Sequence, residues 1–426
     1  MRIAQLELHN VGVFEYQSIE FRPKVDPDKA EIHILTGVNG SGKSTILYAL
    51  ASAFHIEAQL LQRRFRYSDT RSHVNITCSN STDQLYSQRV GYDSDKYFNY
   101  LKDESLFKLY RRNLQIDWET AKKHELEFAI FAYSGYRTVT SINVEGIKEL
   151  STNPLAYALN FQNPLDTQQL VQWIANTKAK VAFAHQDSQP QLAERYQKSI
   201  RRIEEAVAEI AGYSVEFIFG YEPLGVCIKV ADRELEFDLL PDGLKSIISW
   251  IADLLMRLDR IKWVDERDIL DRNFILFLDE IEIHLHPAWQ RRILLVVQKL
   301  FKNAQIFIAT HSPFVVASVS DAWVYRFNVE DGKSQLVSVE ASKAGSSYVT
   351  VLDEVFGIDE FFDPATEREF EEFERLKQEL LNGNSGAIDE LLAVAQRLSN
   401  KSTEVQDIVG RELRQLQRIT QQDLPI

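Results

Sequence analysis

The stretch Gly37-Val-Asn-Gly-Ser-Gly-Lys-Ser-Thr45 constrains this chain more than any other. It fits the pattern Gly-x4-Gly-Lys-Ser/Thr, and its surroundings fit as well. The apolar run Ile32–Leu35 before it reads as a buried strand, and Ile46, Leu47, Ala49, Leu50 and Phe54 after it recur at helical spacing. A glycine-rich turn between strand and helix aims several backbone N–H groups, and the positive end of the helix, at one point. A triphosphate fits there. Gly37, Asn39, Gly40, Ser41, Gly42, Lys43, Ser44 and Thr45 are its expected cradle, with Lys43 reaching the β- and γ-phosphates and the Ser44 hydroxyl on Mg2+.

With 426 residues, 45% of them hydrophobic, the chain can bury a large core and is expected to hold more than one lobe. Its two cysteines, Cys78 and Cys227, exclude a disulfide framework and suit a reducing compartment. The opening residues alternate like a strand and lack a signal-peptide core, and no apolar run approaches the roughly 18 residues a membrane span requires. The expectation is a soluble, cytoplasmic protein with no membrane partner. A net charge of −14 argues against a surface that coats nucleic acid indiscriminately, but it leaves room for a local basic groove. Arg63-Arg64-Phe65-Arg66-Tyr67 and Tyr110-Arg111-Arg112 interleave basic and aromatic residues. They read either as solvated helix faces with packed aromatics or as short tracks for a nucleic-acid backbone, so DNA stays open as a partner.

Further buried strands are expected at Phe128–Tyr133, Phe274–Leu278 and Gln305–Ala309, and short strands at about 214–238. Helices are expected at 191–211, after Pro241 and at 288–301. Alternating strands and helices predict an α/β fold with a largely parallel sheet. From about 364 onward the chain turns acidic and helical, with apolar stripes at Phe370/Phe373/Leu376/Leu380, Leu391/Leu392/Leu398 and Val405/Val409/Leu413/Leu416.

A second constellation narrows the class. Leu276-Phe-Leu-Asp279-Glu280 is an apolar strand ending in two adjacent carboxylates, at the sheet edge where open α/β sheets place their ligands. Asp279 is the expected holder of the Mg2+ shell and Glu280 the general base facing the attacking water. Ile308-Ala-Thr-His311-Ser-Pro313 ends another buried strand, and His311 there would reach the γ-phosphate or that water.

Leu240-Pro-Asp-Gly-Leu-Lys-Ser246 opens the amphipathic helix ahead of the Asp-Glu pair. With it, the order of elements resembles the ABC-type ATPase heads related to chromosome-maintenance, RecF-like and OLD-like proteins. The resemblance covers about residues 1–330. It extends to Leu278-Asp-Glu-Ile-Glu-Ile-His-Leu-His-Pro287, to Ala309-Thr-His-Ser-Pro313, and to Ala132-Tyr-Ser-Gly-Tyr-Arg137, which resembles the loop that substitutes for the transporter glutamine loop. It implies a P-loop NTPase fold of the ABC-head type: a mostly parallel sheet with an antiparallel edge and a helical lobe. It also implies ATP and Mg2+ as ligands, and a homodimer or higher oligomer bridged by ATP. In such heads a Leu-Ser-Gly-Gly-Gln-like signature binds the γ-phosphate held by the opposite subunit; here Asp242, Gly243, Lys245 and Ser246 take that part. Pro241 stands where the signature serine would be, which shifts the contact toward the N–H groups around Gly243 with help from Lys245 or Ser246. Asn10-Val-Gly12 departs from the usual Asn-Phe-Arg/Lys, so no base-stacking residue is assigned.

The division expected is a head over 1–340, with an inserted helical lobe at about 140–212, and a helical extension over 341–426. The chain shows no long heptad arm, which argues against chromosome-maintenance or break-repair arms; the acids after His311 fall on helix faces and not at strand ends, so no intrinsic nuclease domain is expected. The tail, Leu352-Asp-Glu-Val-Phe-Gly-Ile-Asp359 and the helices after it, resembles the ATPase subunits of Septu-type and retron-linked antiphage systems, which act with a separate HNH-type nuclease. That resemblance implies a slow, nucleotide-gated switch. Two readings stand beside it: a RecF-like repair factor whose main activity is DNA binding, and an ATP-bound scaffold, for which Glu280 would be superfluous.

Overall fold

In the computed structural model of the chain, the residues described are 1–52, 54, 61, 63–67, 71–79, 85–91, 110, 113–114, 116–135, 144, 146–161, 167–221, 224–342, 345–358 and 360–420. Among them, strands form three sheets. β1 (Arg2–Val11), β2 (Phe14–Glu20), β4 (His73–Ser79) and β5 (Leu85–Gly91) make an antiparallel sheet in the order β2-β1-β4-β5. β3 (Glu31–Gly37), β6 (Phe128–Tyr133), β10 (Asn273–Asp279), β11 (Ala304–Ala309), β12 (Ala322–Glu330) and β13 (Lys333–Ala341) make the central sheet, in the order β13-β12-β3-β11-β10-β6. Only β13 runs antiparallel in it. β7 (Val215–Tyr221), β8 (Leu224–Val230) and β9 (Arg233–Leu235) form a small antiparallel sheet.

Sequence pattern explains which strands sit where. β3, β6 and β11 are buried at every residue and β10 at all but its first, as parallel strands covered on both faces must be. β1 and β4 instead alternate, with Ile3, Leu6 and Leu8 facing Val74 and Ile76 inward. Register then gathers the strand ends. Leu278 pairs with Tyr133, Asp279 with Ala309, and Ala309 with Leu35, so β6, β10, β11 and β3 finish side by side along one edge.

Among the described residues, five longer helices pack in this part of the chain. α1 (Lys43–Ser52) lies against β10 and β11. α2 (Thr167–Gln186) and α3 (Pro190–Ala211) form a hairpin, and α3 also packs on α4 (Asp242–Arg260), α5 (Pro287–Leu300) and β7. Pro190 occupies the first turn of α3, where its missing N–H costs nothing, and Gly212 ends it at φ +84°. α4 buries Leu244, Ile247, Ile248, Ile251, Leu254, Leu255 and Leu258, the three- and four-residue spacing of a core-facing stripe.

The chain divides into two compact units, Met1–Val351 and Leu352–Ile426. The division falls after Val351, not after residue 340. Ser342 N–H bonds to the Ala322 carbonyl at 2.8 Å, and Tyr348 packs on Phe314 with ring centroids 4.6 Å apart, so the residues after β13 still belong to the first unit. The second unit has its own core. α6 (Pro364–Leu381), α7 (Ile388–Ser399) and α8 (Thr403–Thr420) bury Phe373, Leu376, Leu391, Leu398, Val409 and Leu413 together. Asp363 caps α6 by accepting from the N–H groups of Ala365 and Thr366. Among the described residues no helix is long and apolar enough to cross a membrane.

Candidate nucleotide-binding site

The glycine turn joins β3 to α1 at the gathered strand ends. Gly37 has φ +144°, and a Cβ there would lie 2.2 Å from the Phe327 carbonyl oxygen; Gly42 has φ +87°, and its Cβ would strike the Phe14 ring at 2.5 Å. Only glycine fits at both. Around Gly40 a Cβ would meet nothing within 4 Å, so the cradle opens outward. Lys43 Nζ turns back into this cradle and donates to the carbonyls of Gly37 and Val38, both at 3.0 Å, and to Ser41 Oγ at 3.3 Å. Burial pushes the Lys43 ammonium down to about 8, against the opposing pull of Asp279, Glu282 and Glu280. A buried cation whose hydrogen-bond partners are all neutral oxygens of its own loop is suited to accept a phosphate in their place.

Asp279 ends β10, and its Oδ1 accepts from Ser44 Oγ at 3.0 Å. A hydroxyl and a carboxylate held together this way are hard oxygen donors suited to Mg2+. Tyr48, one turn further along α1, borders the same carboxylate. Burial and the Asp279 charge push its phenol up to about 12, and Arg64 lies 4.5 Å above its ring. Glu280 follows in the left-handed region at φ +50°, its N–H bonded to the Ala309 carbonyl at 2.9 Å. That turn swings the Glu280 side chain away from the strand and against Gly135, where an added Cβ would lie 2.9 Å from Glu280 Oε2. A non-glycine residue held at positive φ at a strand end is strain of the kind that collects at reactive sites.

β11 delivers Thr310 and His311 beside this pair. The Thr310 N–H bonds to the Leu35 carbonyl at 3.1 Å, and Ser312 caps the short helical turn Pro313–Val316. Burial and the Lys43 charge lower the His311 imidazole from its ordinary range, which favours the neutral ring. One carboxylate that sequence reasoning passed over fixes this loop. Glu282 Oε1 accepts from the His311 N–H at 2.7 Å, and burial raises the Glu282 carboxyl. The spacing of two acids after Asp279 was visible; that Glu282 folds back across to β11 was not.

The signature-like turn is placed at the start of α4. Pro241 caps the helix without a side-chain bond, and Asp242 is exposed beside it. Gly243 is there for close packing: a Cβ would lie 2.7 Å from the His284 carbonyl oxygen and 2.9 Å from the Trp289 ring. Lys245 Nζ donates to the Asp238 carbonyl at 2.8 Å and pairs with Asp242 at 3.6 Å. Ser246 is 1% exposed and lies on the buried face of α4, so its hydroxyl is not presented to solvent. Asp242, with Pro241 before it, is what this element exposes; the N–H groups of Leu244 and Lys245 are bonded to the Pro241 carbonyl.

The basic-aromatic segments resolve differently from one another. Phe65 bridges to Val11, and the Arg66 side chain donates to the Gly12 carbonyl at 2.8 Å, so this segment is bound to the β1–β2 turn. Tyr110 is buried, with its hydroxyl donating to the Ile130 carbonyl at 2.6 Å; it belongs to the core. Arg111 and Arg112, and Tyr136 and Arg137 of the segment after β6, lie outside the described residues.

Residues 167–317 match a family described as AAA domain, putative AbiEii toxin, Type IV TA system, and residues 5–213 match a family described as AAA domain. The chain is similar to the Septu protein PtuA of Bacillus thuringiensis, 21% identical over 380 residues that cover 88% of each chain. It is also similar to the Retron Ec83 probable ATPase of Escherichia coli, 23% identical over 390 residues covering 75% of this chain and 70% of that one. Among solved structures, the Smc head bound to the C-winged helix domain of ScpA is 15% identical, covering 80% of this chain and 98% of that one at a TM-score of 0.49.

Proposed function

We propose that this chain, an ATPase with an ABC-type head whose homologues include Septu PtuA and retron ATPases, is a Mg-ATP-gated switch in antiphage defence that controls a partner nuclease. The observation that carries the reading is the contact of Ser44 with Asp279, with Lys43 and Glu280 beside it, at one edge of the parallel sheet. Gly37–Thr45 hold the triphosphate through backbone N–H groups and Lys43. Ser44 and Asp279 would hold Mg2+, which neutralises charge on the β- and γ-phosphates when bound. Glu280 takes the proton of the attacking water, and neutral His311 hydrogen-bonds at the γ-phosphate. The outward first turn of α4 meets the nucleotide of a second copy, so that ATP joins two heads and hydrolysis separates them.

The nuclease partner, of HNH type, is proposed from the resemblance of most of the chain to Septu and retron ATPases. Purification of the tagged chain with its native flanking genes tests it: a stoichiometric nuclease supports the reading. Recovery alone or with DNA overturns it in favour of a DNA-binding repair factor.

A further inference from the structure

We infer that Tyr133 and Asp253 form a positioning pair that holds the main chain at Gly135, just after β6, against Glu280. This rests on the reading of Glu280 as the base. Tyr133 is the last residue of β6, and its partner across the sheet is Leu278, one residue before Asp279. Two residues after Tyr133 comes Gly135, whose backbone lies so close to Glu280 that a Cβ would sit 2.9 Å from Oε2 and 3.2 Å from the Glu280 Cβ. The wall behind the Glu280 side chain is therefore the main chain that Tyr133 anchors.

The anchor is a buried charged pair, an expensive thing to place in a core unless geometry requires it. The Tyr133 hydroxyl donates to Asp253 Oδ2 at 2.8 Å, and Arg257 Nε donates to the same oxygen at 2.6 Å. Arg257 then donates to the carbonyls of Pro154 at 2.7 Å and Ala156 at 3.0 Å. The segment carrying those carbonyls covers the outer edge of β6, where the Ala132 N–H bonds to the Ala158 carbonyl at 2.7 Å. Asp253 is 2% exposed, and Trp250 packs beside the Tyr133 ring. The hydroxyl of Tyr133 is thus fixed from α4, and Arg257 ties the oxygen it binds to the 154–158 segment. Misplacing a group beside the reacting atoms by a fraction of a bond length lowers turnover without weakening nucleotide binding.

One asymmetry supplies the test. Both donors use Oδ2, while Asp253 Oδ1 has no hydrogen-bond partner among the described residues. An asparagine can therefore set its carbonyl oxygen at Oδ2 and keep both bonds, with its amide nitrogen at the position of Oδ1. Tyr133→Phe removes only the hydroxyl and keeps the ring against Trp250, so folding is preserved. The experiment is steady-state ATP hydrolysis by the full chain with Mg2+, run beside thermal unfolding. For Tyr133→Phe and for Asp253→Ala, kcat is expected to fall about tenfold with KM for ATP within about twofold, and the double variant to add little. Asp253→Asn, which keeps an acceptor oxygen for the Tyr133 hydroxyl but loses the charge facing Arg257, is expected to retain more kcat than Asp253→Ala. Unchanged kcat in Tyr133→Phe, or a loss in KM alone, overturns the proposal. Glu280→Gln is measured in parallel: if it too hydrolyses ATP normally, the reading of the base fails; if it is inactive while Tyr133→Phe is normal, only the positioning pair fails.

Discussion

Lys43 shows how much one residue's environment says about its ligand. Its ammonium sits near 8 against an ordinary 10.5, because the closed loop strips it of water. The unfolded chain binds more protons than the folded one between those values, so stability of the nucleotide-free protein rises as pH increases from 8 to 10.5. Thermal midpoints across that window should rise less in Lys43→Met, and the same variant should lose ATP affinity by about 100-fold or more. Glu31 gives the opposite limb. Burial pushes its carboxyl up, but the hydrogen bond from His33 and the Arg2 charge outweigh it and hold the group at about 2, against an ordinary 4.5. Its contribution is complete above 4.5 and disappears as pH falls toward 2. At roughly 1.4 kcal/mol per pKa unit this is of order 3 kcal/mol, so acid unfolding of Glu31→Gln should begin from a lower, flatter stability than wild type. The phosphate role of Lys43 was legible in the glycine-rich motif, whereas the role of Glu31 was not. Glu31 and Gln305 meet because β3 and β11 are neighbours, a pairing that local pattern does not encode.

At the scale of elements, what the sequence revealed was what has local period or local chemistry. The buried runs of β3, β6, β10 and β11, the glycine turn, and the amphipathic stripe of α4 all follow from spacing alone. Contacts made across the sheet were hidden: Glu282 folding back to His311, and Tyr133 reaching Asp253, residues far apart in sequence. The signature-like turn lies between these cases. Its position before the Asp-Glu pair was legible, but which of its side chains point inward depends on the phase of α4 against β-sheet and loop, and Ser246 falls on the buried side. Gly243 makes the turn sensitive to one methyl group. Gly243→Ala should cost about 1–3 kcal/mol in unfolding experiments, because the His284 carbonyl is backbone and cannot step aside. It should weaken ATP-dependent association of heads more than binding of ATP to a single head.

The whole molecule joins the unit that carries the candidate nucleotide site to a separately packed helical unit of different charge. From Leu352 onward there are eight Lys and Arg residues against seventeen Asp and Glu, so most of the net charge of −14 belongs to the smaller unit. Such a surface suits a basic protein partner better than a nucleic-acid backbone. Capture of the proposed partner by this unit should weaken steeply between low and physiological salt, whereas ATP hydrolysis by the head should not.

In the proposed function, the strand-edge constellation hydrolyses ATP through Glu280, and bound ATP joins two heads. The most direct measurement is hydrolysis by Glu280→Gln with Mg-ATP, together with its molar mass in solution with and without nucleotide. A loss of turnover of about 100-fold or more is expected, with a dimer that appears with ATP and persists. Wild-type hydrolysis by Glu280→Gln, or a mass indifferent to ATP, would contradict it.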